Sequence, residues 1–569
     1  MVDRPIDLTR DDLVSIAIGP GVGLGLARGD DRWAIATPDP LQLLAELTDA
    51  SAPRWVWWGQ ETTALLAQAQ IPIDRCWDIR TVHRLLFGGS KAPVGEVWAT
   101  LKGLRLDTLP RMGQLGLLDA PSDEGDRAQP TMPDGHLRPE WIDGGFGQTP
   151  ARLAAWAALA LDASGLQDQL IDGQVDPARC RSTARSESAA ELLCAEMSTM
   201  GLPIDESAAL DLILESAGPR PRSFAHEDEI RAARDEVVIA RLDHRRQVNL
   251  RNPGEVKIML ERQGLELPDT RAWRLEKLRD SEPLIDALLT WRKAERIATT
   301  YGYTWLDEHV SEARLRGSWS SSDGAAGRMT ASAGLHNLPA VMRPIVAAEE
   351  GHLFVRADLG QIEPRVLAAV SGDPSLIEAT QGDDLYSPIA QRLGVERDIA
   401  KVAVLGAMYG ATTGESAGAL VGLQKNYPVA MALLEEAAEF GKRSEDVFTS
   451  GGRRVRMWSD QEQDGNLDRA VSAAAARGRY ARNAVIQGAA AEYFKVWAIT
   501  VRRHGRALGA DIVLCLHDEL LVHVPEERAD EAAAMVTNAV AEAAHYWSPR
   551  PDVRFVADTQ IVKRWSEAK

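Results

Sequence analysis

Leu353-Phe-Val-Arg-Ala-Asp358-Leu-Gly-Gln361-Ile-Glu363 and Ile512-Val-Leu-Cys-Leu-His517-Asp518-Glu519-Leu-Leu-Val-His-Val-Pro525 decide how this chain is read. Each is an apolar run of strand type that breaks abruptly into carboxylates. The first continues into a helical pattern. The second turns back into another apolar run, which predicts a hairpin with His-Asp-Glu at its tip. Carboxylates lifted out of a hydrophobic sheet suit Mg²⁺, a hard ion that takes one or two protein carboxylates together with substrate phosphates. Two such ions about 4 Å apart clamp the attacking and leaving oxygens of a phosphoryl transfer. If Asp358 and Asp518 meet in space, the expected chemistry is nucleotidyl transfer.

Between them lies Arg397-Asp-Ile-Ala-Lys401-Val-Ala-Val-Leu405-Gly-Ala-Met-Tyr409-Gly410. Arg397, Lys401, Leu405 and Tyr409 recur every fourth residue and form one slanting helical ridge, roughly 18 Å long at 1.5 Å per residue. A nucleoside triphosphate fits such a ridge, phosphates against the two cations and base against Leu405 and Tyr409. An amphipathic helix with a charged end would look the same in isolation.

At 569 residues the chain exceeds one hydrophobic core, so two or more domains are expected. With 64 Lys+Arg against 83 Asp+Glu the net charge is −19, which argues against a general polyanion-coating protein but leaves local binding open. Residues 241–301 carry 13 basic against 10 acidic side chains, and residues 442–484 carry 9 against 6. The four cysteines (Cys76, Cys180, Cys194, Cys515) form no CxxC pair, which predicts a reduced protein without structural zinc. No signal-like or membrane-length apolar segment is seen, so a cytoplasmic, nucleoid-associated location with no membrane partner is expected. Residues 1–120 read as α/β, 121–150 as polar loop rich in Gly and Pro, 149–214 and 223–310 as helical. The run Gly19-Pro-Gly21-Val-Gly23-Leu-Gly25 gives neither GxGxxG nor Gly-Lys-Ser/Thr and is read as a turn between two strands.

The three segments, in this order, resemble the motifs of family A DNA polymerases, the bacterial DNA polymerase I type. The family's DYSQIELR stands here as Asp358-Leu-Gly-Gln-Ile-Glu-Pro-Arg365, and its Arg-x3-Lys-x3-Phe-x3-Tyr-Gly as Arg397, Lys401, Leu405, Tyr409 and Gly410. His517-Asp518-Glu519 matches its HDE. Ala326-Gly-Arg328-Met-Thr-Ala-Ser-Ala-Gly-Leu-His336-Asn337-Leu-Pro339 resembles TGRLSS…NLQNIP, and Arg479, Asn483, Gln487 and Gly488 match R-x3-N-x3-QG. Asn249-Leu-Arg-Asn-Pro253 and Trp291-Arg-Lys-Ala-Glu-Arg-Ile-Ala-Thr-Thr-Tyr301 look like the family's thumb.

The resemblance implies an α+β right-hand polymerase domain over 186–569, with the thumb at about 190–312, the palm at about 313–375 and 485–569, and the fingers at about 376–484. It would follow an α/β, RNase H-like 3′–5′ exonuclease domain over 1–185. It implies two Mg²⁺ ions (Mn²⁺ able to substitute) on Asp358 and Asp518, with Glu519 supporting. Lys401 would be the acid for the leaving pyrophosphate. Arg397, Lys401, Leu405, Tyr409, Glu363 and Gln361 would bind the dNTP. Arg328, Asn337, Arg479, Asn483, Gln487 and His517 would hold primer–template DNA, in a monomer serving repair or gap filling. Rival readings are a single-subunit RNA polymerase relative and a catalytically weakened DNA-binding scaffold.

Two departures stand out. Leu405 and Val404 replace the family's aromatic residue and its usual Asn, and an aliphatic chain cannot stack as a ring does. The exonuclease carboxylates are missing as well. Leu13–Gly21 carries no Asp-x-Glu, and the helical Tyr-x3-Asp falls on Trp156 and Ala160, with Asp162 close by. Asp78 is the expected survivor, so no exonuclease activity is expected.

Overall fold

The computed structural model describes residues 6–111, 129–242, 248–410, 417–458 and 467–568. The chain divides into two compact units, one of residues 1–200, 318–331 and 351–562, the other of 201–317, 332–350 and 563–569. No helix among the described residues is long and apolar enough to cross a membrane.

The first unit begins with a five-stranded sheet of β1 (Leu13–Gly19), β2 (Gly23–Arg28), β3 (Asp31–Ala36), β4 (Arg54–Trp57) and β5 (Cys76–Asp78), in the order β3-β2-β1-β4-β5. β1–β3 form antiparallel hairpins, while β4 and β5 run parallel to β1. The glycine run is the β1–β2 turn, closed by Val22 N–H donating to Gly19 O at 2.9 Å. Strand alternation gives the sheet two different faces. Val14, Ile16, Ile18, Leu24, Leu26, Trp55 and Trp57 pack against Leu44, Leu66 and Leu192 on one side. Ala17, Ala27 and Val56 face Leu153, Trp156, Ala157 and Ala160 on the other. These last belong to helix α2 (Pro150–Asp172), and α1 (Ile79–Phe87) follows β5 directly. Helix α3 (Pro177–Met200) runs unbroken through position 185.

The loop expected over 121–150 lies outside the described residues as far as 128, and the remainder is more ordered than its composition suggests. Pro139 at N1 starts a short helix, Pro139–Ile142, followed by a 3₁₀ turn, Gly145–Gln148. Aromatic burial holds them, with Trp141 and Phe146 packing 6.3 and 5.1 Å from Trp156.

Further along the first unit, β6 (His352–Leu359) leads into α4 (Ile362–Ser371), and the ridge segment forms α5 (Arg397–Tyr409). The long α6 (Leu467–Gly505) precedes the hairpin β7 (Asp511–Leu516) and β8 (Glu519–Pro525), then α7 (Ala529–Trp547) and β9 (Ala557–Val562). The four strands form an antiparallel sheet in the order β7-β8-β6-β9. Helix α7 packs on β6, β8 and β9, with Thr537 Oγ1 3.1 Å from Thr559 Oγ1. Thr559 pairs with Ala357, so that face is covered and the face bearing Asp358 is the other one.

The second unit is mainly helical, with helices Glu206–Ala217, Phe224–Ile239, Pro253–Arg262 and Pro283–Thr300 around Val238, Leu260, Ile285, Leu288 and Trp291. The long helical stretch expected over 223–310 is broken where Asn252 caps a new helix that Pro253 starts. Arg251 ties the two thumb-like segments together by ion-pairing with Asp235 and Glu295, while Trp291 Nε1 donates to Asp235 at 2.9 Å.

Candidate active site

Asp358 is the penultimate residue of β6 and pairs with Glu519 on β8 and Asp558 on β9. Directly paired residues project to the same face, so three carboxylates stand abreast on three adjacent strands. Asp518 sits in the β7–β8 turn, where its carbonyl accepts from Leu359 N–H at 3.0 Å. Both flanking turns use non-glycine residues in the left-handed region, His517 at φ 57° and Gln361 at φ 56°. Such conformations cluster where side chains must be aimed. The two aspartates separated by 160 positions in sequence therefore meet.

Their electrostatics reflect that meeting. Burial, then Asp518, raises the Asp358 carboxyl to about 6, although Arg356 opposes the rise. Burial also raises Asp518. Half-buried carboxylates that repel one another form a hard-oxygen site that gains from positive charge.

Glu363, in the first turn of α4, lies beside them. Its Oε2 accepts from Tyr409 OH at 3.3 Å and its Oε1 from Arg328 Nη2 at 3.0 Å. Burial raises its pKa, with Asp518 adding to the rise. With the Gln487 amide oxygen turned toward Arg328, the orientation that satisfies both groups, it accepts from Nη2 and Nη1 at 2.9 and 3.0 Å. The chain thus joins Tyr409, Glu363, Arg328 and Gln487 from four segments next to the aspartates.

On α5, Arg397, Lys401 and Tyr409 are exposed and Leu405 is half-buried, while Val404 packs inward. Arg397 forms a two-pronged pair with Asp384, Nε to Oδ2 at 2.8 Å and Nη2 to Oδ1 at 2.9 Å, and its guanidinium lies 5.7 Å from the Tyr386 ring. Gln361 is committed to the same group, donating to Asp384 at 2.8 Å and accepting from Leu385 N–H at 2.7 Å. Arg479, Asn483 and Gln487 follow along α6, and Asn483 Oδ1 is buried without a hydrogen-bond partner among the described residues. A side chain at Gly488 would meet Ala326 O at 2.8 Å, so glycine lets the two backbones approach. His517 is exposed. Asn337 lies in the second unit, where its carbonyl accepts from Arg296 Nη2 at 2.8 Å and Tyr301 OH at 2.7 Å.

Three participants escaped sequence reasoning. Arg356 could have been found, because strand period 2 puts it on the Asp358 face. Its Nε donates to Glu519 Oε1 and its Nη2 to Asp358 Oδ2, both at 2.9 Å, and Nη1 lies 3.4 Å from Asp558 Oδ2. Asp558 and Asp384 carried no local signal, since their roles come from sheet pairing and from a partner 13 residues away.

The N-terminal sheet packs closely against α2. Ser15 is fully buried and donates to Ala157 O at 2.6 Å, and a Cβ on Gly25 would lie 2.1 Å from Leu153 C. Ala160 is buried and Asp162 exposed. Asp78 is fully buried as the cap of α1, accepting from Trp57 Nε1 at 2.9 Å and Thr81 N–H at 2.8 Å, and burial raises its pKa.

The model of "DNA polymerase family A" matches residues 226–567. The thermostable DNA polymerase I of Thermus filiformis is 30% identical over 328 residues, covering 52% of this chain and 38% of that protein. DNA polymerase I of Chloroflexus aurantiacus is 32% identical over 294 residues, covering 46% and 30% respectively. The chain thus spans well under half the length of these relatives. Among solved structures, the POL domain of Pol1 from M. smegmatis, in complex with DNA primer-template and dNTP, matches 99% of this chain and 96% of its own at a TM-score of 0.65 and 21% identity. That likeness establishes a polymerase-domain fold.

Proposed function

The chain belongs to DNA polymerase family A, and from that premise we propose that it is a template-directed DNA polymerase adding dNMPs to a primer 3′ end, in repair or gap filling. The observation that carries this reading is the convergence of Asp358 and Asp518 beside the Glu363–Tyr409 pair. Asp358 and Asp518 would hold Mg²⁺, or Mn²⁺ in its place, a fit to their hard-oxygen, mutually repelling carboxylates. When bound, the metal supplies charge stabilisation to the attacking and leaving oxygens.

The protein's own groups do the rest. Arg397 and Lys401 bind the triphosphate, and Lys401 gives a proton to the leaving pyrophosphate. Glu363, held by Arg328 and Tyr409, fills the space a ribose 2′-hydroxyl would need and so favours deoxynucleotides. Gln361 acts through Asp384 and Leu385 rather than by its own reach. Arg328, Gln487, Asn483, Arg479 and His517 address the primer–template minor groove, where donors test pairing without reading sequence. In the second unit, read as the thumb with Asn337 at its edge, a groove of about 920 Å³ lined by Arg231, Lys257, Arg271, Arg292 and Arg296 suits a phosphate backbone.

Residues 1–185 are read as an exonuclease-like domain that has lost its reaction. The sheet order and surviving Asp78 support the ancestry. The lost reaction is supported by Ser15, whose hydroxyl is buried against Ala157 O, and by Ala160 where the helical carboxylate would stand.

Primer extension by wild type beside Asp518→Ala tests the polymerase reading. Extension by the wild type and a loss of roughly three orders of magnitude or more in the variant are expected, since metal-supplied stabilisation is worth several kcal/mol. No extension by wild type favours the scaffold, and preference for NTPs favours the RNA polymerase relative. A labelled, 3′-mismatched primer with Mg²⁺ and no dNTPs is expected to keep its length. Shortening that survives Asp358→Ala would overturn the lost-exonuclease reading.

A further inference from the structure

Asp358, Glu519 and Asp558 lie on neighbouring strands in direct register, and Asp518 adds a fourth carboxylate at the turn beside them. Strands about 4.8 Å apart bring the oxygens of such a row within reach of one hard cation. The position is already taken. Arg356 is mostly buried, its side chain 11% exposed, and its guanidinium ion-pairs with Asp358, Glu519 and Asp558 together. It uses one oxygen of each, Oδ2 of Asp358, Oε1 of Glu519 and Oδ2 of Asp558, and the planar fork of arginine suits this better than the point charge of lysine.

We propose that Arg356 is the resident counter-cation of the metal site, a positioning residue that withholds Glu519 and Asp558 from divalent ions and leaves Asp358 and Asp518 as the ligand pair. The inference rests on the polymerase reading of that pair. It assigns Glu519 to orienting the arginine rather than to binding metal. It also assigns a job to Asp558, which is 61% exposed and therefore needs no partner for its own solvation. Removing the guanidinium would open a carboxylate row able to take a divalent ion and would free Asp358 Oδ2.

The test is Mn²⁺ binding to the full-length protein, read from the paramagnetic resonance signal of free Mn²⁺, without DNA or nucleotide. Arg356→Met, close to isosteric along the stem, is expected to bind Mn²⁺ about three- to tenfold more tightly than wild type, or to take up one further ion, the scale of one charge removed at short range in a water-accessible site. Asp558→Asn is expected to change Mn²⁺ affinity less than twofold while Arg356 is present and by a larger factor in the Arg356→Met background, because only there does Asp558 become a ligand. A merely structural arginine predicts equal effects of Asp558→Asn in the two backgrounds. Unchanged or weaker Mn²⁺ binding by a folded Arg356→Met protein overturns the proposal. If Arg356→Met does not fold, Arg356→Lys decides, because lysine keeps the charge but not the fork. Partial tightening is expected, and wild-type affinity overturns the proposal. Failure of the wild type to extend a primer would instead count against the polymerase reading and leave the Mn²⁺ comparison standing.

Discussion

Arg397 shows how much a single pairing changes the meaning of a residue. As part of a ridge it is an open cation, but Asp384 already holds it with two hydrogen bonds. The pair with Arg397 is the first cause of the Asp384 carboxyl lying far below the usual range, and Ser387 and Gln361 add to it. On the proposed reading of Arg397 as a triphosphate ligand, the incoming nucleotide has to displace a carboxylate. Exposed ion pairs are worth about 0.2–1 kcal/mol, so Asp384→Asn, which keeps an acceptor oxygen but removes the competing charge, is expected to lower KM for dNTP about two- to fivefold with kcat changed less. Steady-state single-nucleotide incorporation measures both, and an unchanged KM would show that Arg397 is released at no cost. None of this was legible in the sequence, because Asp384 lies in the loop before the helix Tyr386–Leu393 while Arg397 opens the next helix, and only the chain reversal between them makes them neighbours. Arg356 is the opposite case. Its distance of two from Asp358 fixed its face, and only the strand order, which sets Glu519 and Asp558 to either side, was hidden.

At the scale of elements, the parts that read correctly were those where one periodicity dominates. The hairpin at His517–Glu519 follows from two apolar runs around a short polar break, and α5 from a four-residue repeat bounded by Gly410. Segments held by long-range burial read less well. The short helices after residue 138 are fixed by Trp141 and Phe146 packing on Trp156, a contact no local pattern announces. On α5 the departure at Leu405 has a definite place, on the partly open side of the helix, whereas Val404 belongs to its packed side. Restoring a ring should thus act on nucleotide binding rather than on folding. Leu405→Phe is expected to lower KM for dNTP about threefold to tenfold, in line with 0.5–1.5 kcal/mol for an aromatic stack, with the thermal midpoint shifted by no more than a degree or two. Equal KM values would mean that Leu405 lies off the nucleotide's path.

At the scale of the whole molecule, the question is what the N-terminal sheet, proposed above to belong to an exonuclease-like domain without its reaction, does for the rest of the chain. The first compact unit contains both that sheet and the catalytic one, and buried charges stitch them together. Glu187 on α3 is fully buried and binds Lys495 of α6 through both oxygens at 2.7 Å, with Arg453 also 2.7 Å away. Glu191, one turn further, takes Arg84 at 2.9 Å and Ser321 N–H at 3.1 Å, and Glu196 pairs with Arg502. Burial opposes the charge on Glu187, but Arg453 and Lys495 outweigh it and hold its carboxyl below the usual range. Breaking such a pair is costly because the partners stay buried and charged, about 3–5 kcal/mol when one member is neutralised. Glu187→Gln would strand two cations at once. It is therefore expected to lower stability by at least about 3 kcal/mol in denaturant unfolding. Hydrogen exchange should show protection falling together in β1–β4 and in α6 through β8, since α3 and α6 share the charge cluster. Loss of protection confined to residues 1–200 would mean that the N-terminal sheet unfolds on its own and does not brace the catalytic sheet. On the cooperative outcome, the domain persists because α6, which carries Asn483 and Gln487 toward the site, has its buried Lys495 neutralised from the N-terminal side.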